Sequence, residues 1–118
     1  CFFTTEFTVQ IIADPSLGAK LPLTIHCSSG NEDLGIHKLY GDYTAHGYRS
    51  FGWKFCENLI GNSVYTCDFH WHKKNIRFQV FNSAFSDKAC QYESTCTWYV
   101  HTDAFHLNLD WTNVMYRW

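Results

Sequence analysis

The densest group of potentially reactive side chains lies between residues 26 and 37, in the run HCSSGNEDLGIH. It places Cys27, Glu32 and Asp33 between two histidines, His26 and His37. Imidazole, thiolate and carboxylate groups bind zinc, and histidine can also act as a general acid or base. Neighbouring residues on a strand point to opposite faces, however, so His26 and Cys27 cannot chelate one ion without local distortion. A metal or catalytic centre is therefore the weaker interpretation of this run.

The pattern around the run predicts its structure instead. Cys27 continues the alternation of Leu23 and Ile25, so it is predicted to end a strand on the core face and form a disulfide, with His26 on the opposite face. Ser28 to Asp33 is predicted to make a turn, and Leu34 to Tyr40 to start the next strand. Glu32 and Asp33 are then acids displayed at a turn, where a partner can reach them.

Other candidate sites for metals or catalysis are also weak. His70 and His72 would share a strand face at about 6.5–7 Å by strand rise. A metal site needs a third ligand, however, and a solvent-facing polar row opposite Phe69 and Trp71 is the favoured explanation. Glu32 and Asp33 lack the spacing of a calcium loop, and the chain has no G-x-S-x-G elbow. No catalytic residue, metal ligand or cofactor-binding residue is predicted. A ribonuclease or metal hydrolase that uses histidines stays as an alternative, as does a carbohydrate-binding module.

Length and composition limit the class of protein. The chain has 118 residues, which is enough for one domain, predicted to span residues 1–118. Hydrophobic residues make up 46% and aromatic residues 19%, so disorder is excluded and β structure is favoured. A net charge of -2, with 17% charged residues, argues against nucleic acid as a partner. No apolar stretch is long enough for membrane insertion.

Six cysteines indicate an oxidising compartment. Their number is even and they lack the paired C-x-x-C spacing of a zinc site, which favours a disulfide framework. We therefore expect a mature, secreted, extracellular domain. The spacing alone leaves 15 pairings open for six cysteines.

The fold is predicted to be all-β. Alternating apolar residues recur along the chain, for example in Ser63 to His72, where Tyr65, Cys67, Phe69 and Trp71 share one face. Turn signals separate these runs at short intervals. The pattern predicts an antiparallel β-sandwich of seven or eight short, disulfide-linked strands.

Two further polar segments are candidate contact surfaces for a partner. Lys73 and Lys74 lie in the one basic concentration, which is predicted to be a hairpin turn. Asp87 and Lys88 lie in a polar segment between Ser83 and Thr95 that is predicted to be a surface loop.

Blocks along nearly the whole chain resemble the plant self-incompatibility S-protein and S-protein-homologue family. His26 to His37 is similar to the family's HC-x-S, acidic and LG-x-H signature. Tyr48 to Phe55 resembles its W-x-F strand, and Ser63 to Trp71 its C-x-F-x-W strand. The segment from Cys90 to Trp98 completes the resemblance.

The resemblance implies a small secreted plant protein that is not an enzyme. It would act as a signalling ligand or interaction module for a membrane receptor protein on another cell, in self-incompatibility or a related process. We expect a monomer that needs no cofactor. Four cysteines match the family, and for these we favour the pairs Cys27 with Cys96 and Cys67 with Cys90. The additional Cys1 and Cys56 would form a third bridge.

Overall fold

Nearly all of the regular structure is β-strand. The computed structural model describes residues 1–30, 32–42, 47–60, 62–84, 90, 94–108 and 114–118, without the side chains at 114 and 115. Within these ranges it has a 3-10 helix, Pro15–Leu17, and nine strands: β1 (Glu6–Ala13), β2 (Leu23–Ser29), β3 (Glu32–Leu39), β4 (Ser50–Cys56), β5 (Val64–Trp71), β6 (Lys74–Asn82), β7 (Thr95–Val100), β8 (Ala104–Leu107) and β9 (Val114–Arg117). In the described part of the chain, no helix has the length and apolar character needed to cross a membrane.

The strands form two sheets, as a β-sandwich requires. One sheet has the order β4-β1-β7-β8-β9, and the other the order β3-β2-β5-β6. Neighbours pair antiparallel except for β1 and β7, which are parallel. The predicted all-β sandwich is confirmed, with nine described strands rather than seven or eight.

The core lies between the sheets and is built by the alternation seen in the sequence. In β1 every second side chain is buried, from Phe7 to Ala13. Trp98 of β7 is 1% exposed, and its indole Nε1 donates a hydrogen bond of 2.9 Å to the carbonyl oxygen of Val80 in the opposite sheet. This bond satisfies the buried indole and links the two sheets.

The two ends of the sandwich carry different connections, which we call the Cys56 end and the Lys73 end. At the Cys56 end, β1 begins opposite the end of β4, and the β2–β3 hairpin and the 57–63 connection lie nearby. At the Lys73 end lie the β5–β6 hairpin and the residues that join β7 to β8. The Nζ of Lys74 donates to the carbonyl oxygen of Thr102 there and so connects the two sheets.

The disulfides overturn the favoured pairing. Cys27 is bonded to Cys67, and Cys90 to Cys96, so the expected pairs Cys27 with Cys96 and Cys67 with Cys90 are wrong. The reason is topological. Cys27 and Cys67 are direct partners on β2 and β5, with 4.0 Å between their Cα atoms, whereas Cys96 lies on β7 in the other sheet. The third bridge joins Cys1 to Cys56.

Candidate functional site

The hairpin that contains Glu32 and Asp33 is tighter than the sequence predicts. β2 continues to Ser29 and β3 begins at Glu32, and these two residues are partners in the ladder. The predicted turn from Ser28 to Asp33 is therefore wrong, because only positions 30 and 31 lie between the strands. Glu32 and Asp33 are strand residues, and their backbone geometry is fixed by pairing with β2.

A β-bulge follows directly after this pairing. His26 pairs with Ile36 and Ser28 pairs with Asp33, so two residues of β3, Leu34 and Gly35, lie opposite Cys27. Gly35 has φ 83°, which residues with a side chain rarely adopt. The bulge therefore explains why a glycine stands at this position.

Asp33 holds the bulge together. Its Oδ1 accepts a hydrogen bond of 2.8 Å from the Gly35 backbone N–H and lies 2.7 Å from Nε2 of His26. These two hydrogen bonds hold the pKa of the Asp33 carboxyl below its ordinary value, and the bond from the Gly35 backbone has the larger effect. The carboxylate is committed to the hairpin, even though the side chain is 67% exposed.

The second histidine of the run connects the two sheets. The Nε2 of His37 lies 2.8 Å from the carbonyl oxygen of Leu34, and its ring stacks on Phe51 with 3.7 Å between the centroids. His37 belongs to β3 and Phe51 to β4, which are the edge strands of the two sheets. Both histidines therefore have structural contacts, which the sequence pattern alone left unexplained.

We expect the substitution Gly35→Ala to lower the free energy of unfolding by about 1–2 kcal/mol, the usual cost of a side chain at positive φ. Urea unfolding followed by circular dichroism would measure the change. Gly30→Ala is the matched control in the same hairpin, because an added Cβ there has no neighbour within 4 Å and the φ of Gly30 is not in the positive region. Equal loss in both variants would contradict a specific role for the bulge.

His70 and His72 do not lie side by side on one face of a strand. His70 lies on β5 with its Nδ1 2.6 Å from Oδ1 of Asn75, whereas His72 follows the strand with φ 56°. In the described residues, no group of three or more His, Cys, Asp or Glu side chains could hold a metal ion.

Folding does bring two other histidines together. The rings of His101 and His106 meet edge to face with 4.8 Å between centroids, and Nδ1 of His101 lies 3.3 Å from Oδ2 of Asp14. His106 is 9% exposed and the His101 side chain 16%. For Asp14, burial raises the carboxyl pKa, but the hydrogen bonds from Ser16 and the interaction with His101 outweigh it, so the pKa is lowered. A general acid and base must reach a substrate, so this covered group is better explained as packing.

The four predicted contact residues that the structure describes lie at opposite ends of the sandwich. Lys73 is exposed at the Lys73 end, and Lys74 lies 5.7 Å from the Trp71 ring centroid in addition to its bond to Thr102. Strand β5 spans about 25 Å between the two ends, by strand rise. Lys73 therefore cannot share one small contact surface with Glu32. Asp87 and Lys88 lie outside the described residues.

The Cys56 end has a groove of about 510 Å³. Ser29, Gly30 and Glu32 of the hairpin line one side, and polar residues of the 57–63 connection, including Asn58 and Asn62, line the other. The backbone N–H of Asn62 donates 3.0 Å to Oδ1 of Asn58, so the connection is held in shape by its own side chains.

Sequence reasoning identified Glu32 as an acid that a partner can reach, but it did not predict a groove and did not single out Asn58 as a contact residue. The available signal was the polar residues Asn58, Asn62 and Ser63 between Cys56 and β5. Of these, Asn62 was interpreted only as part of a turn with Gly61.

Comparisons with known proteins agree with the resemblance seen in the sequence. A family model described as plant self-incompatibility protein S1 matches residues 8–118. S-protein homolog 5 of Arabidopsis thaliana is 30% identical over 82 residues, which cover 70% of this chain and 57% of that protein. S-protein homolog 2 of the same plant is 27% identical over 128 residues, which cover 98% of this chain and 74% of that protein. This chain thus spans little more than half the length of the first relative.

A solved structure has the same fold. It is described as one of the SPH (Self-Incompatibility Protein Homologue) proteins, a widespread family of small, highly stable, secreted proteins from plants. The TM-score is 0.55 at 20% identity, over 98% of this chain and 94% of that one. The predicted family resemblance is confirmed by these matches.

Proposed function

Because the chain belongs to the plant self-incompatibility protein S1 family of secreted plant proteins, we propose that it is a signalling ligand for a membrane receptor protein on another cell. It would act as a folded monomer without a cofactor, through recognition rather than catalysis. The observation that carries the proposal is the polar groove at the Cys56 end, where loops from both sheets converge on rigid strands. Self-incompatibility is one process that such a ligand serves.

The groove suits protein recognition because its framework is already ordered. Cys56, one of the residues that line the groove, is held in the Cys1–Cys56 disulfide, and β2 and β3 fix the hairpin on the other side. Glu32 is exposed there. Burial raises the pKa of Tyr65, which also lines the groove, and the negative charge of Glu32 raises it further. A partner that binds a preformed surface loses less entropy than one that must order it.

Saturable binding to plant cells tests this proposal. We expect fluorescently labelled, oxidised protein to bind intact protoplasts saturably, and protease treatment of the cells to abolish the binding because the receptor is a protein. Unlabelled parent should displace the label. A Glu32→Lys and Asn62→Arg double variant should displace it at least about tenfold less well, the effect expected when central contacts are lost.

Lys73→Glu is the matched control, since it also reverses a charge but lies at the opposite end. It should compete as well as the parent. Unfolding midpoints would establish that all three proteins are folded. If no cell type shows saturable binding, or if the groove variant competes like the parent, the proposal fails.

A further inference from the structure

Four large apolar side chains are exposed at the Cys56 end. Phe2 and Phe3 are 98% and 88% exposed, and Leu59 and Ile60 are 77% and 80% exposed. Side chains of this size present on the order of 150 Å² each, so each pair exposes about 300 Å², which is within the range for the largest apolar patch of a monomer. Patches of that size usually mark an interaction site.

One disulfide holds both apolar pairs. Phe2 and Phe3 directly follow Cys1, which is bonded to Cys56, and Leu59 is three residues beyond Cys56. The backbone N–H of Glu57 also donates to the carbonyl oxygen of Thr5 at 3.0 Å. The bridge and this hydrogen bond hold the backbones of the two segments near each other, so a partner does not have to bring them together.

The charges around these residues are mainly negative. Glu6 is the strand partner of Cys56, Glu57 is the next residue, and Glu32 lines the adjacent groove. Among the described residues of this end, Lys54 is the one basic side chain. The Lys73 end has the opposite bias, with basic residues at Lys20, Lys38, Lys73, Lys74 and Arg117.

We propose that Phe2, Phe3, Leu59 and Ile60 form an apolar anchor for a protein segment whose own apolar side chains are flanked by lysine or arginine. This inference rests on the proposed function, because the segment would belong to the receptor. The acidic surroundings select this occupant by charge complementarity. In a symmetric dimer the same glutamates would face each other, and an anionic lipid surface would be repelled in the same way.

Two labelled peptides of equal length test the chemistry directly, one of leucine and lysine and the other of leucine and glutamate. In fluorescence anisotropy we expect the leucine-lysine peptide to bind the parent at least about tenfold more tightly than the other peptide. A Phe2→Ser, Phe3→Ser, Leu59→Ser, Ile60→Ser variant should lose this binding by about tenfold or more. Equal affinity for both peptides would overturn the proposal.

The control variant carries Ile36→Ser and Tyr48→Ser, which remove exposed apolar side chains that are 66% and 79% exposed away from the anchor. It should bind the leucine-lysine peptide like the parent, and loss of binding in it would overturn the assignment. Sedimentation of the parent should show a monomer. A dimer that the four-serine variant disperses would identify a second copy as the occupant. Comparable binding to phosphatidylserine vesicles would identify a membrane instead, and either result overturns the proposal.

The protoplast assay separates this inference from the proposed function. If the four-serine variant competes like the parent on cells, the anchor is wrong while the receptor proposal stands. If no cells bind the parent but the peptide results hold, the receptor proposal fails and the anchor remains a binding site for such segments.

Discussion

Replacing Trp98 with alanine is expected to lower the free energy of unfolding by about 3–5 kcal/mol. The side chain is 1% exposed and packs against Phe78 and Tyr116, with 5.0 and 5.9 Å between ring centroids. Alanine leaves a cavity between the sheets and removes the hydrogen-bond donor to the carbonyl oxygen of Val80. Urea unfolding followed by far-UV circular dichroism would measure the loss.

Two controls separate the contributions of Trp98. Trp98→Phe keeps a ring but removes the indole N–H, so we expect an intermediate loss of about 1–3 kcal/mol. Tyr48→Ala removes an aromatic ring that is 79% exposed, and should change stability by less than about 0.5 kcal/mol. A loss below about 1 kcal/mol for Trp98→Ala would show that this indole does not hold the sheets together.

Most of the strands were predictable from alternation, because a sheet with one buried face requires every second residue to be apolar. β9 was not predicted, and β8 is buried at all four positions rather than alternately. The predicted strand from Ser63 to His72 is observed as β5, Val64–Trp71. The ends of β2 and β3 were not predictable in this way. Ser29 and Glu32 look like turn residues, yet they pair with each other because the ladder continues past the bulge at Gly35. Pairing along the hairpin ladder, rather than the turn propensity of the single residues, therefore set the ends of these two strands.

The disulfide pairing and the groove could not be predicted from the sequence for a different reason. Cys27 and Cys67 are 40 residues apart in sequence, and only the order of strands in the sheet makes them neighbours. The groove likewise combines Glu32 of β3 with Asn58 and Asn62 of the connection between β4 and β5. Alternation gives the face of each strand but not its neighbour, so neither feature follows from the sequence pattern.

The roles of the signature residues follow from these contacts. Cys27 forms a disulfide, Asp33 holds His26 and the bulge, Gly35 supplies the positive φ, and His37 stacks on Phe51. The residues that identify the family therefore build the sandwich. Differences in recognition are then expected at positions outside this framework, such as Asn58 and Asn62 of the groove and the apolar anchor.

Among the signature residues, we expect removal of Cys27 and its disulfide to Cys67 to lower the free energy of unfolding the most. The bridge has a sequence separation of 40, and the entropy model of loop closure gives about 4 kcal/mol for a loop of that size. A Cys27→Ala and Cys67→Ala double variant should therefore lose about 4 kcal/mol of unfolding free energy. Alanine is chosen because both side chains are fully buried and serine would add buried hydroxyls. Denaturant unfolding of the double variant would measure the loss.

The Cys90→Ala and Cys96→Ala double variant is the matched control. Its bridge spans a separation of 6, for which the same model gives about 2 kcal/mol. A larger loss in this control than in the Cys27 and Cys67 variant would contradict loop closure as the source of stability. Digestion of the unreduced protein checks the pairing independently: a fragment that joins Cys27 to Cys96 would contradict the structure, because those two residues lie in different sheets.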